Sequence, residues 1–267
     1  MKKRTTPYLK IAHRGASGYE PDNTIRAFEK AIELGADMIE LDIHLSKDGH
    51  LVVIHDAHIN DVAVKDLTLN ELKQFNVGKG EQIPTLQEAI YCVKGRCKLY
   101  IELKGEATEQ PVIELVRKNN MQDEVIIGSF DSAKVRRTKM LAPELMTSVL
   151  TGKMEINFVA FAQEALADCI HFCWERHPAP HTLLTDELMK SCAAARLKVL
   201  IWHEERPRKF GRLLSAIFTE SVAIYPICLP NLHHNFRGTL AVRRSQLGYA
   251  VPSYESPESD RMYSRGQ

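Results

Sequence analysis

Between Ile11 and Asp56 the hydrophobic period of the chain changes repeatedly. Ile11-Ala12-His13 closes a short apolar run that reads as a strand. From Thr24 to Leu34, Ile25, Phe28, Ala31 and Ile32 recur at the spacing of one helical face, and Gly35 suits the stop. Met38-Ile39-Glu40-Leu41-Asp42-Ile43-His44 then alternates. A strand there places Glu40, Asp42 and His44 on one face, with Ile39, Leu41 and Ile43 on the other. Lys47-Asp48-Gly49 turns the chain, and Leu51 to Ile54 predicts a further strand that delivers His55-Asp56.

A loop-rich stretch follows from Ala57 to Pro84, with a short helix capped by Thr68 or Asn70. Thr85 and Glu88 form a capping box for a helix running to Val93. Beyond it the periods alternate. Strands are predicted at 98–104, 125–130, 145–150, 169–174 and 198–202, and helices at 111–118, 132–140, 158–166, 185–196 and 207–215. Such βα alternation predicts an α/β fold with a parallel sheet and right-handed crossovers. Its closed form is a TIM (β/α)8 barrel, here with a small insertion after the second βα unit, occupying residues 9–230. The eighth strand is atypical. Gly is absent from Ser215 to Asn235, Ser221 to Tyr225 offers a short strand, and Pro226 and Pro230 limit its continuation. Without that strand, the edges of the first and seventh strands would be exposed. Residues 231–267 are rich in Ser, Arg, Tyr and Pro with little periodicity, which predicts a disordered or atypical tail. Either a reading-frame shift near Ser215 or a divergent native ending accounts for it.

Composition narrows the picture mainly by exclusion. Thirty-five basic and thirty-four acidic residues leave a net charge of +1, which argues against nucleic acid or an acidic membrane as partner. No segment approaches the ~20 apolar residues of a membrane anchor, and MKKRTTPYLK lacks the apolar stretch of a leader, so the expected location is cytoplasmic. The six cysteines (Cys92, Cys97, Cys169, Cys173, Cys192, Cys228) are dispersed and read as reduced thiols.

The chemistry lies at strand ends. Glu40 and Asp42 on one face would repel each other by about 4 kcal/mol at ~4 Å near a surface. A divalent cation removes that cost, and carboxylate oxygens suit Mg²⁺ or Ca²⁺. The bland alternative for this strand alone is a solvated polar edge. The strand 98–104 repeats the pattern with Glu102 and Lys104 on one face. His58 three residues after His55 is weak metal spacing, and the prolines between His177 and His181 make that pair a loop rather than a helical metal motif.

The ordered set HRG, PDNT, AF, ELD, KDG and VVIHD resembles the glycerophosphodiester phosphodiesterase family in order and spacing. The resemblance continues through DLTLNELKQFNVGKGEQIPTLQEAI, YIELK and VIIGSF to VLIW, covering roughly residues 9–214. It implies a metal-dependent phosphodiester hydrolase releasing glycerol 3-phosphate and an alcohol from a small-molecule phosphodiester. By the same resemblance Glu102 joins Glu40 and Asp42 as metal ligands, and His13 and His55 serve as acid and base in an order left open. Arg14 and Lys104 contact the phosphate, and Trp202 forms an apolar wall for the glycerol moiety. A neighbouring glycerol hydroxyl is a possible nucleophile ahead of water.

Two departures stand out: Asp22 where the family has Glu, and His203-Glu204-Glu205 where it shows a Thr-Val-Asn-like run. Two rivals remain at this level. One is a lyase or lysophospholipase-D-like activity on lysolipids with the same residues. The other is a catalytically impaired phosphodiester-binding barrel.

Overall fold

A computed structural model of the chain describes residues 9–174, 177–202 and 224–227; the side chains of His181, Trp202 and 224–227 lie outside that description. Strand β1 (Ile11–His13) leads into helix α1 (Ile25–Glu33), whose Thr24 cap accepts from the Ala27 amide at 3.1 Å. Strand β2 (Met38–Leu45) follows. The short strand β3 (Leu51–Val53) returns antiparallel beside its end, with Ile43 opposite Val53.

The insertion is carried between β2 and the next helix. It holds a two-stranded hairpin, β4 (His58–Ile59) and β5 (Val62–Ala63), and the one-turn helix α2 (Leu69–Leu72). Val52, Val64, Leu72 and Ile83 give it a small apolar core of its own. Thr68, rather than Asn70, caps α2, with Glu71 completing a capping box. Thr85 and Glu88 do the same for α3 (Leu86–Val93).

The rest alternates as expected: β6 (Lys98–Leu103), α4 (Glu109–Lys118), β7 (Val125–Ser129), α5 (Ser132–Leu141), β8 (Met146–Thr151), α6 (Phe158–Glu164), β9 (Cys169–Cys173), α7 (Asp186–Ala194), β10 (Lys198–Trp202) and β11 (Ile224–Ile227). The expected helix 207–215 and the tail 231–267 lie outside the described residues.

Hydrogen bonding runs β1-β2-β6-β7-β8-β9-β10-β11 and back to β1, all parallel, so eight strands close a (β/α)8 barrel. The eighth strand begins later than the sequence suggested and contains Pro226. Four residues pair with β10, from Val199↔Ile224 to Trp202↔Ile227, whereas Ile11↔Ile227 alone joins β1. Proline has no N–H to give a ladder, which suits a strand so thinly joined on one side.

Two cores follow from the alternation along each strand. Ile39, Leu41, Ile43, Leu99, Ile101 and Leu103 face the helices, packed with Phe28, Ile90 and Val116. Ile11, Met38, Tyr100, Ile126, Leu150, Cys169 and Leu200 form a separate inner cluster, the side-chain filling of a barrel. Tyr100 crosses that interior to His171, with its hydroxyl 3.1 Å from Nδ1 and the rings edge to face at 5.4 Å. Burial pushes the His171 pKa down to about 3, so the ring is neutral.

Candidate functional site

Register places the acids side by side. His13 pairs with Glu40 across β1 and β2, and Asp42 pairs with Glu102 across β2 and β6. All three carboxylates point into the barrel near the C-terminal strand ends, where such barrels keep their sites. One oxygen from each lies within 4.8 Å of the others, and all three residues are buried. Glu40 Oε1, Asp42 Oδ1 and Glu102 Oε2 have no hydrogen-bond partner. Three buried carboxylates that converge in this way, each with an oxygen lacking a hydrogen bond, fit a hard divalent cation, and among the described residues no Cys or His joins the group to suggest zinc.

The electrostatics carry the same message. Burial, then the charges of Asp42 and Glu102, raise the Glu40 carboxyl well above the usual carboxylate range. Burial pushes Glu102 up to about 7 against the pull of Lys104. Two cations offset part of the charge. Lys104 Nζ lies 2.8 Å from Glu102 Oε1 and 3.5 Å from Asp42 Oδ1, and Arg14 Nε lies 3.4 Å from Asp42 Oδ2. Burial opposes both positive charges, but the carboxylates outweigh it and raise both pKa values.

Local backbone explains how Arg14 arrives. Its φ of 54° is left-handed, and its amide donates to Glu40 Oε2 at 2.9 Å. The guanidinium also reaches Asp22, with Nη1 3.0 Å from Oδ2, so the shorter acid of PDNT still engages Arg14. Asn23, buried and also left-handed, is seated against Asp42.

His13 Nε2 lies 3.9 Å from Glu40 Oε2. β3 runs back along β2, and the Ile54 amide bonds the Asp42 carbonyl at 3.0 Å, which sets the His55 backbone just past β3 and beside β2. The His55 Nδ1 meets Asp56 Oδ1 at 2.7 Å, a hydrogen bond that lowers the Asp56 pKa. His44 does not join the carboxylates: its Nε2 lies 3.2 Å from the His55 carbonyl oxygen, beneath that loop.

Trp202 ends β10, and its side chain lies outside the described residues, as do His203, Glu204 and Glu205. His58 is exposed on the hairpin. His177 accepts the Ala179 amide in a loop, with a 3-10 turn at Pro180–Thr182.

Three residues escaped the sequence reading. Asn23 carries no signal beyond its place in PDNT. Phe130, just past β7, lies half exposed at the rim with Lys104 Nζ 5.7 Å from its ring centroid. Lys134 was masked by a helix of mixed charge. Only the strand-end position of Phe130 gave a signal.

Residues 13–220 match the glycerophosphoryl diester phosphodiesterase family. A glycerophosphodiester phosphodiesterase of Caldanaerobacter subterraneus subsp. tengcongensis is 35% identical over 244 residues, covering 84% of this chain and 97% of that protein. The crystal structure of a glycerophosphodiester phosphodiesterase from Agrobacterium tumefaciens superposes with a TM-score of 0.71 at 25% identity, covering 84% of this chain and 98% of that one. An Oleispira antarctica phosphodiesterase, solved with sn-glycerol 3-phosphate, superposes at 0.72 over 82% of this chain and 92% of that one; at 24% identity that likeness is one of fold.

Proposed function

The chain belongs to the glycerophosphoryl diester phosphodiesterase family, and on that premise we propose that it hydrolyses glycerophosphodiesters to glycerol 3-phosphate and an alcohol. The observation that carries the reading is the convergence of three buried carboxylates, with His13, Arg14 and Lys104 against them. Glu40, Asp42 and Glu102 would hold a divalent ion, Mg²⁺ or Ca²⁺, and the chemistry supplied there would be that of a Lewis acid toward the phosphoryl group.

The chain's own groups do the rest. Arg14 and Lys104 are the cations available to phosphate oxygens, Arg14 through a guanidinium fork that suits bidentate contact. Both pair with the acids of the site while keeping part of the side chain exposed, which supports that role. His13 and His55 move the protons, one taking a proton from the nucleophile and the other giving one to the leaving alcohol. The hydrogen bond to Asp56 fixes the His55 ring orientation and favours a proton on Nδ1, leaving Nε2 for exchange with substrate. Phe130 supplies apolar surface at the rim, and for Trp202 the same role is carried over from the family resemblance alone.

No helix among the described residues is long and apolar enough to cross a membrane. The dispersed cysteines of the sequence, with no C-x-x-C pair, are what supports a cytoplasmic setting. The barrel occupies residues 9–230 in this reading, with 231–267 outside it.

The reading is tested by incubating the protein with glycerophosphocholine, glycerophosphoethanolamine and lysophosphatidylcholine, and identifying products by ³¹P NMR. Glycerol 3-phosphate from the first two is the expected result. A persistent cyclic phosphate would reassign the protein as a lyase, and phosphocholine release would overturn the proposed bond cleavage.

A further inference from the structure

Lys134 is a buried lysine on α5 that reaches away from its own helix toward the end of β6. Its Nζ donates to the carbonyl of Lys104 at 2.9 Å and to that of Gly105 at 2.8 Å. The neighbouring carbonyl, Leu103, accepts from the Ser129 hydroxyl at 2.9 Å. Three successive carbonyls after Glu102 are therefore held by donors from the next βα unit. From the opposite side, the amides of Lys104 and Gly105 both donate to the Ile43 carbonyl at the end of β2, at 3.1 and 2.9 Å. Gly105 also packs so tightly on β2 that a Cβ there would lie 2.9 Å from the His44 Cα. The segment carrying Glu102 and Lys104 is thus clamped between the strand that bears Asp42 and a cation arriving from α5.

An ammonium enclosed by two carbonyls is a costly device unless those carbonyls need fixing. The nearest carboxylate, Glu106, is almost fully exposed and 3.9 Å away, a weak reason to bury a lysine. Resting on the functional reading above, we infer that Lys134 is a positioning residue for the reaction: it fixes the backbone of Lys104 so that the Lys104 ammonium meets the phosphate. It pairs with none of the three site carboxylates and acts through the backbone of Lys104 and Gly105.

The test is a double-mutant cycle on the full chain with glycerophosphocholine and Mg²⁺ or Ca²⁺, with unfolding transitions recorded for every variant. Lys134→Met keeps the stem and removes the donors. It is expected to lower kcat/KM by about 10–100-fold, the usual cost of losing a supporting contact. In a Lys104→Ala background the same change is expected to cost less than about twofold, because a contact already lost cannot be lost again. A lower melting temperature with unchanged kcat/KM, or an equal loss in both backgrounds, overturns the inference. If Lys134→Met does not fold, Lys134→Gln, which still donates to one carbonyl, goes through the same cycle by the same criteria. Failure of both to fold assigns Lys134 to stability and also overturns it. A folded wild-type protein that releases nothing from glycerophosphocholine overturns the functional reading, and the inference with it; an active wild type beside indifferent Lys134 variants overturns the inference alone.

Discussion

Asn23 and Asp42 hold each other through two hydrogen bonds: Asn23 Nδ2 donates to Asp42 Oδ2 at 2.9 Å, and the Asp42 amide donates to Asn23 Oδ1 at 3.3 Å. One oxygen of Asp42 is thereby tethered, while the other, Oδ1, accepts no hydrogen bond and has the Lys104 ammonium 3.5 Å away. Asn23 does this from a left-handed backbone that Asn tolerates better than most residues. Asn23→Ala is expected to weaken divalent-ion binding by about 10–100-fold and to cost roughly 1–3 kcal/mol of stability. Asn23→Gly relieves the backbone strain, so it should be the more stable of the two while binding the ion equally poorly. Calorimetric titration and thermal unfolding of the pair check this. Unchanged ion affinity in both would remove Asn23 from the site.

Titration of the carboxylates gives a pH signature. Glu40 and Glu102 have folded-state pKa values above those of an unfolded chain, Glu102 at about 7. In the ion-free protein the folded state therefore binds more protons, and this contribution to stability is full below about pH 4.5 and lost as pH rises through about 7. A divalent ion reverses the trend, since it binds the ionised acids. Melting curves at pH 5 and pH 8, in EDTA and in excess Ca²⁺, should show the ion's stabilisation growing with pH. The EDTA drop should be smaller in Glu102→Gln. A drop of equal size in that variant would assign it to other groups.

Much of this site was legible in sequence because a strand has a period of two. Glu40 and Asp42 flanking Leu41, and Glu102 beside Leu103, can only share the inner face once Leu41 and Leu103 pack outward. What was not legible depends on groups that meet only after closure. Nothing in SAKVRRTKML singles out Lys134, since its partners are backbone carbonyls thirty residues away. His44 shares the strand face of the acids, yet lies one step beyond them, where β3 has already brought the His55 carbonyl into reach. Pro226 argued against a strand continuing there, but β11 needs only four residues between β10 and β1. The tail beyond Ile227 lies outside the described residues; limited proteolysis with mass spectrometry tests the expectation that it is cleaved first.

The barrel interior offers a prediction independent of catalysis. A methyl group on Gly128 would lie 2.1 Å from the Tyr100 hydroxyl, which fills the space where a side chain would stand. Gly128→Ala is expected to destabilise by about 1–3 kcal/mol through overpacking. Tyr100→Phe in the same chain should recover part of that loss. Urea unfolding of the wild type and the two variants measures it; Gly128→Ala within about 0.5 kcal/mol of wild type, the range of harmless surface changes, would contradict the packing.

For the histidines, replacement of His13 or His55 by Ala should lower kcat by about 10²–10⁴, the usual worth of a positioned acid or base. Unfolding transitions should barely move. Asp56→Asn, which weakens the orientation of the His55 ring, should fall between wild type and His55→Ala. Near-wild-type turnover by His55→Ala on a diester with a poor leaving group would sink the assignment.

The central claim is that Glu40, Asp42 and Glu102 act as one ion-binding group. The direct measurement is release of glycerol 3-phosphate from glycerophosphocholine after exhaustive dialysis against EDTA, followed by stepwise addition of Mg²⁺ or Ca²⁺. Activity should vanish on chelation, return in a saturable way with one of the two ions, and fail to return in Glu102→Gln. Full turnover by the dialysed protein in excess EDTA would contradict it.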